Sequence, residues 1–499
     1  MATIGLELCD AGFEAVMCAG GTLQPITGSS PGAIGDWPGF AYHDGQRFTY
    51  GRAAEDQWFV HPRRVAHTFW SRLAHEPSTL GPAGRLAPLS ELAFNFFREF
   101  QQRVATAAAG DKFVLAVPGA YLKDPATEEE KIGLLLGIAS ELKLPLAGIV
   151  DLAGAALCDP RSAGFNPALP VLVVDLHLEG AELTLFATEA HLERKDYLHL
   201  PQAGYAQLLK QLTGTMGNRF LRHTAFDILE DGRIEQLFFR QTKDFLYSNA
   251  AEHRFQINTA NRGYEMLAKR DQLAADAQIF VGTLVTAIQT FLRNTAEPAE
   301  PCTVALSDRA ARLPGLEAKL RAAGYLRLLR LPAGAGAAGA AHIGESRLKP
   351  AQDLADVPVE TSLPLALAHR FAAALWEVRL LKDRAGASRR IPTHAIIDGV
   401  GVELGHAPRF TIGIAALAVD LVLPETFHRA EDCAVPLARD GGRLWFTDPT
   451  LPRSGPPTAA QAVRTAIEAG DRLVIRCGDA TTEILFAHIK SPDSGRAGS

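Results

Sequence analysis

The sequence of 499 residues is poor in features that mark secreted, metal-binding or membrane-spanning proteins. Its six cysteines are scattered without a CxxC pair, which argues against a zinc ribbon or a disulfide framework and favours a reducing compartment. No apolar run reaches the roughly 18 residues of a membrane span, and the first residues lack the basic stretch of a signal peptide. We therefore expect a cytoplasmic protein without membrane insertion and without a metal site.

Excess positive charge is also missing. Lys and Arg total 50 against 56 Asp and Glu, which gives a net charge of −6. Because nucleic-acid-binding proteins need a basic face, we expect no nucleic-acid partner. The HExxH and GxxxxGK[ST] motifs are absent as well, so the zinc-protease and P-loop NTPase classes have no support in the sequence.

The chain does contain enough apolar residues, 47%, for a large core, and its length predicts about two to four domains. Up to about residue 345 strand patterns alternate with helix patterns, which indicates α/β architecture. A helix predicted over Leu363–Leu381 and a linker fill residues 346–390. Short strands and Gly/Pro turns then predict an all-β sandwich or barrel over residues 391–490, before a disordered tail over 491–499.

Two stretches share one pattern: an apolar strand, a turn with an acid near its start, and a second strand. The first spans Ile4 to Met17 and the second Leu169 to Ala187. Two acid-bearing hairpins about 170 residues apart suggest a duplicated core. The low-complexity run Pro332–Ala341 consists of small residues, which favours a helix packed closely against a neighbour.

Six motifs in residues 1–345 resemble, in order and spacing, the nucleotide-binding domain of heat-shock protein 70 (DnaK-type) chaperones. The phosphate motifs of that family, IGIDLGTT and VYDLGGGTFD, are similar to IGLELCDAG and VVDLHLEGAE here. All six lie at Ile4–Gly12, Val117–Gly133, Val150–Leu157, Val173–Glu182, Ala305–Pro314 and Gly336–Leu348. The resemblance implies an actin-like ATPase fold, with duplicated α/β halves around a cleft that holds ATP or ADP with magnesium.

The resemblance also implies site residues. Acids stand at the four acidic positions of the family, namely Glu7, Asp151, Asp175 and Glu182. Further positions that match nucleotide contacts of the family are Asp10, Gly12, Gly180, Lys243, Ser307 and Arg309.

The glycines and threonines that wrap phosphates in that family are replaced here. The Gly-Thr-Thr of the family is replaced by Cys9-Asp10-Ala11, and its triple glycine is replaced by His177-Leu178-Glu179. Its catalytic lysine is replaced by Ser71. Side chains at these turns would fill phosphate space, and two of them add negative charge that repels a triphosphate. We therefore expect a vestigial acidic cleft without an assigned catalytic residue, as in a pseudo-ATPase.

The predicted β domain resembles a forkhead-associated (FHA) domain. The motifs of that family are similar to Ile396–Gly413, Val419–Pro424, Ala430–Val435, Gly441–Asp448 and Ala469–Ile475. The family binds phosphothreonine through Arg, Ser and His side chains, but these positions fall at Ile414, Arg429 and Asp432 here, and the loop Ser454–Ala459 lacks an Asn. An unrelated β-sandwich is the alternative.

Two functional hypotheses follow. The first is a protein-interaction scaffold or chaperone-like adaptor with protein partners, which has lost ATP hydrolysis and phosphothreonine binding. The second is a slow or altered Mg-ATP-dependent ATPase of the chaperone type, in which Glu7, Asp175 and Glu182 act with magnesium.

Overall fold

The computed structural model describes residues 2–27, 37–76, 87–107, 110–162, 165, 169–188, 191–248, 250–260, 262–295, 302–325, 327–351, 353–364, 377–382, 390–405, 409–413, 419–424, 434–440, 442–447, 464–477 and 480–489. The chain divides into two compact units, Met1–His369 and Arg370–Ser499. The first mixes helices with strands, and the described part of the second consists of strands.

The first unit holds most of the strands. In chain order they are β1 (Thr3–Glu7), β2 (Glu14–Ala19), β3 (Thr22–Pro25), β4 (Ala41–His43), β5 (Phe48–Tyr50), β6 (Val65–Ala66), β7 (Lys112–Val117), β8 (Leu146–Asp151), β9 (Val171–Leu176), β10 (Ala181–Thr188), β11 (His191–Leu200), β12 (Glu252–Asn258), β13 (Gly263–Lys269), β14 (Thr303–Leu306), β15 (Leu328–Arg330), β16 (Val359–Glu360) and β17 (Ser362–Pro364).

Helices connect these strands. They are α1 (Arg52–Glu55), α2 (Leu89–Ala107), α3 (Pro125–Glu141), α4 (Leu152–Leu157), α5 (Tyr205–Thr224), α6 (Gly232–Tyr247), α7 (Arg270–Thr295), α8 (Asp308–Ala311), α9 (Leu316–Ala322) and α10 (Ala335–Arg347). The strand–helix alternation predicted for this region is confirmed.

Two sheets of the first unit repeat one topology. Sheet 1 has the order β16-β8-β7-β1-β2-β3, and sheet 2 has the order β15-β14-β9-β10-β11-β17. In sheet 1 β1 forms a hairpin with β2 and β3 continues the meander, whereas β7, β8 and β16 lie parallel on the other side of β1. In sheet 2 β9 forms a hairpin with β10 and β11 continues the meander, whereas β14 and β15 lie parallel on the other side of β9 and β17 extends the far edge. Both hairpins predicted from the sequence are therefore present, at the centre of each sheet.

Helix α10 packs between the sheets at very close range, because its buried face consists of glycine and alanine. A Cβ atom on Gly339 would lie 1.7 Å from the backbone oxygen of Ala155 in α4. A Cβ atom on Gly5 in β1 would lie 2.0 Å from the backbone oxygen of Ala337. The prediction that Pro332–Ala341 begins a tightly packed helix is confirmed.

The outer face of each sheet carries its own core. Aromatic side chains of α2 dominate the core on sheet 1, and α5, α6 and α7 cover sheet 2. By length and composition α7 would also be able to cross a membrane, since its mean hydropathy reaches 1.3 over 18 residues. Core helices commonly pass that test, and the buried face of α7, including Leu284 and Ile288, packs on sheet 2.

The second unit is built from two five-stranded sheets. Its described strands are β18 (Glu377–Leu381), β19 (His394–Ile397), β20 (Val400–Glu403), β21 (Arg409–Gly413), β22 (Leu421–Val422), β23 (Ala434–Asp440), β24 (Arg443–Thr447), β25 (Arg464–Ile467), β26 (Arg472–Cys477) and β27 (Ala480–Ala487). The sheet orders are β18-β26-β27-β19-β20 and β22-β21-β23-β24-β25. Apolar side chains from both sheets share one core, which fits the sandwich form of the all-β prediction.

The helix predicted over Leu363–Leu381 is wrong at both described ends. Leu363 lies in β17 and pairs with Leu192 of β11, whereas Glu377–Leu381 pairs with β26. The apolar spacing suited a helix, but edge strands that complete two different sheets satisfy the backbone instead. Residues 365–376 of the predicted helix lie outside the described residues.

Candidate functional site

The turns of the two central hairpins approach each other and bring buried acids together. In sheet 1 Glu7 is directly opposite Glu14, and in sheet 2 Asp175 is directly opposite Glu182. Like charges at such cross-strand positions destabilise a sheet unless cations or donors compensate for them. Glu7, Asp175 and Glu182 are each at most 7% exposed, so the compensation has to come from the protein itself.

Arg309 supplies one compensating cation. It lies in α8, just after β14 of sheet 2, and is 8% exposed. Its Nη2 atom lies 3.1 Å from Glu7 Oε1 and 3.7 Å from Asp175 Oδ1, while its Nε donates to the Leu176 carbonyl at 2.8 Å. Burial raises the pKa of Glu7 although Arg309 opposes this effect. The guanidinium therefore joins the acids of both hairpins.

His177 is the second compensating group. Its Nε2 atom lies 3.4 Å from Asp175 Oδ2 and 3.4 Å from Glu182 Oε2. Burial disfavours the imidazolium, but the two carboxylates and Cys9 together raise the pKa of His177 well above its usual value. Burial likewise opposes ionisation of Asp175 and Glu182, yet the neighbouring cations hold the pKa of each below its usual value.

Asp10 lies in the turn of the first hairpin and contacts the turn of the second hairpin. Its Oδ1 accepts the backbone N–H of Leu178 at 2.9 Å, and the side chain is 3% exposed. That N–H stands in the segment that wraps phosphate in the family resembled. A carboxylate of the protein thus already holds the donor that a phosphate oxygen would need. Burial raises the pKa of Asp10.

The remaining two acids are also engaged. Glu182 accepts the backbone N–H groups of Gly119 and Ala120, at 2.9 and 3.3 Å, and the Tyr197 hydroxyl at 2.9 Å. Asp151 caps the N-terminus of α4 and lies 3.1 Å from Arg194 Nη1. Burial raises the pKa of Asp151, an effect that Arg194 counteracts in part.

The other positions predicted for a nucleotide serve local structure. Lys243 Nζ lies 2.7 Å from Glu55 Oε1 in a buried ion pair, and Ser307 caps α8. Gly180 packs against His199, since a Cβ atom there would lie 2.5 Å from the imidazole ring. Gly12 closes its turn through a backbone bond to Cys9. Ser71, at the position of the catalytic lysine, is exposed and donates to the Thr68 carbonyl.

The residues of the cleft do not fit magnesium and a triphosphate. Magnesium demands oxygen ligands in near-octahedral geometry, whereas the oxygens of Asp175 face Arg309 and His177. A pocket of about 30 Å³ beside Arg309 is partly open to solvent. Its lining includes Glu14 and Ser307.

Sequence reasoning found the acids but missed their partners. The sequence predicts His177 only as an obstacle to phosphate and assigns no role to Arg194, Tyr197 or Glu14. One signal was available for Glu14: the duplicated hairpins place it opposite Glu7, as Glu182 is opposite Asp175. The pairing with Arg194 joins residues 43 positions apart and has no local sequence signal.

Comparison with known proteins supplies no further constraint on this site. No protein-family model matches the chain, and no curated protein matches it.

Proposed function

We propose that the first unit is an actin-like domain of the heat-shock-70 type that serves as a protein-interaction scaffold or chaperone-like adaptor and does not hydrolyse ATP. The fold assignment is supported by the repeated sheet topology and by the acid-bearing hairpins whose turns approach each other. Helix α10, with its small residues at the place that the resemblance requires, supports it further.

The observation that carries the functional proposal is a set of polar contacts across the cleft. Asp10 of the first hairpin holds a backbone donor of the second, at 2.9 Å. Arg309, beside sheet 2, holds Glu7 of sheet 1, and Glu182 of sheet 2 holds backbone donors that follow β7 of sheet 1. In the proposed scaffold the cleft is thus occupied and closed by the side chains of the protein.

A triphosphate would have to break these contacts before it made its own. Removing one partner of a buried ion pair costs about 3–5 kcal/mol, and the displaced carboxylates would then face the phosphates as like charges. The same contacts keep the two sheets from separating, whereas an ATPase cycle of this type needs them to move. A rigid surface for partners suits such a domain better than a catalytic cycle.

We further propose that the second unit is FHA-like and has lost phosphothreonine binding. Its two five-stranded sheets with a common core support the fold. The predicted ligand positions, Ile414, Arg429, Asp432 and Ser454–Ala459, lie outside the described residues. Titration of a fluorescent phosphothreonine peptide library, with the unphosphorylated library as control, should give no phosphate-dependent binding.

The test of the main proposal is calorimetric titration of the full chain with Mg-ATP and Mg-ADP, with thermal melting in parallel. We expect no heat and no shift of Tm at millimolar nucleotide. Any ligand bound only by the native state raises stability, by about 2.7 kcal/mol at a hundredfold excess over its Kd. Binding with a clear shift would overturn the proposal in favour of a slow ATPase.

The scaffold function itself is tested by crosslinking and mass spectrometry of complexes purified with the full chain. The same protein partners should be recovered in the same proportions with Mg-ATP, with Mg-ADP and without nucleotide. A partner released specifically by Mg-ATP would contradict the proposal, because release requires a nucleotide-driven change in the cleft.

A further inference from the structure

Cys9, Asp10 and His177 form a buried cluster at the point where the two hairpin turns meet. One ligand atom from each residue lies within 4.8 Å of the other two. Cys9 Sγ and His177 Nδ1 are 3.4 Å apart. These residues are each no more than 6% exposed.

We propose that this cluster is a site for a divalent transition metal ion of the zinc class, which joins the two hairpin turns. The proposal goes beyond the scaffold function, because the ion would bind whether or not a nucleotide or a partner does. It also departs from the sequence prediction, in which the scattered cysteines indicated no metal site.

The types of ligand fit such an ion. Thiolate, imidazole and carboxylate are the side chains that zinc selects, and oxygen-only ions such as magnesium do not prefer thiolate. In a tetrahedral zinc site with bonds of about 2.0–2.3 Å, neighbouring ligand atoms are roughly 3.3–3.7 Å apart. The Cys9–His177 distance already lies in that range, and the 4.8 Å limit requires Asp10 to move by about 1 Å or less.

An unpartnered polar atom points to a ligand independently of this geometry. Asp10 Oδ1 is held by the Leu178 N–H, but Asp10 Oδ2 is buried and has no hydrogen-bond partner among the described residues. A buried oxygen without a partner is costly, so native structures usually supply a proton, a water or an ion there. A metal ion between Asp10, Cys9 and His177 would satisfy this oxygen.

Carboxylates lie near the far ring nitrogen of His177, although that nitrogen makes no hydrogen bond among the described residues. If Nδ1 binds the ion, Nε2 must carry the proton and donate it outward, and metal-bound histidines commonly donate to a carboxylate. Asp175 Oδ2 and Glu182 Oε2 both lie 3.4 Å from that Nε2. On binding, the Cys9 thiol and the Nδ1 of the His177 imidazolium each release a proton to solvent, so that the thiolate and the neutral imidazole become the ligands. Three protein ligands leave one tetrahedral position for a water.

The experiment uses the full chain without an affinity tag, stripped of metal and titrated with Co²⁺. Because the ligands are buried, Co²⁺ is supplied both to the native protein and during refolding from urea. We expect a thiolate-to-cobalt charge-transfer band, intense d–d bands of tetrahedral cobalt, and loss of both when Zn²⁺ is added. No charge-transfer band under either condition would overturn the proposal.

Variants assign the band to this site. Cys9→Ser should abolish it, whereas the control Cys302→Ser, just before β14, should leave it unchanged. Asp10→Asn keeps an oxygen for the Leu178 N–H but loses the carboxylate charge. Since removal of outer groups alone weakens metal binding about 10–100-fold, loss of this ligand should weaken it by at least about tenfold. A band that survives Cys9→Ser, or unchanged affinity in Asp10→Asn, would refute the site. Circular dichroism verifies that each variant folds. If Cys9→Ser does not fold, the metal affinity of Asp10→Asn serves as the test of the site.

Discussion

Substitution of Arg309 tests directly whether the buried acids of the cleft are neutralised by side chains of the protein. Replacing Arg309 with methionine keeps most of the side-chain volume but leaves Glu7 without its cation and the Leu176 carbonyl without the donor at 2.8 Å. Both groups are buried, so water cannot replace the lost contacts. We expect Arg309→Met to lose about 3–5 kcal/mol of unfolding free energy, the cost of breaking a buried ion pair.

That loss is a large share of the roughly 5–15 kcal/mol that stabilises a typical domain. Urea unfolding followed by far-ultraviolet circular dichroism measures it, because all the described helices belong to the first unit. With a urea slope of about 3 kcal/mol per molar, the midpoint should fall by about 1 M or more. Arg254→Met is the matched control, since its pair with Glu265 is exposed and should contribute about 0–1 kcal/mol.

A double variant isolates the pair itself. Glu7→Gln removes the charge but can still accept the Gly336 N–H, so Glu7→Gln with Arg309→Met should lose clearly less than the sum of the two single variants. The expected coupling is about 1–3 kcal/mol. A loss below about 1 kcal/mol in Arg309→Met, or simple additivity in the double variant, would refute the argument that Arg309 neutralises the cleft.

Three further predictions concern packing and reactivity. Gly339→Ala should lower the unfolding free energy by about 1–3 kcal/mol in the same urea assay, because its Cβ would lie 1.7 Å from a backbone oxygen of α4. Gly133→Ala in α3 is the control: its Cβ meets nothing within 4 Å, so the unfolding free energy should rise by up to about 1 kcal/mol. Lys112→Met should lose about 1.5–3 kcal/mol, since Lys112 donates to two carbonyls at the end of α10 at 2.7 Å; an unchanged midpoint would contradict this. Burial raises the pKa of the Cys158 thiol to about 12. In the native protein at about pH 8, iodoacetamide should therefore modify the half-buried Cys302 faster than Cys158, as followed by peptide mass spectrometry. Equal rates of modification would argue against this difference.

The sequence alone determined the elements with strong local patterns. The hairpins around Glu7 and Asp175 could be predicted because apolar alternation and turn residues lie within short windows. The small-residue helix α10 could be predicted because glycine and alanine permit a close approach that larger side chains exclude. The predicted helix over Leu363–Leu381 failed because its ends pair with strands far away in the chain, and a local periodicity carries no information about such partners.

Tertiary structure decided the chemistry of the cleft. The sequence placed Glu7, Asp10 and Asp175 near one another through a resemblance, but whether buried acids hold a metal, a phosphate or a cation of the protein depends on contacts between residues far apart in the chain. Arg309 meets Glu7 across 302 positions, and Asp10 meets Leu178 across 168. Those contacts depend on how two sheets face each other, a relation that forms only on folding and has no counterpart in neighbouring residues.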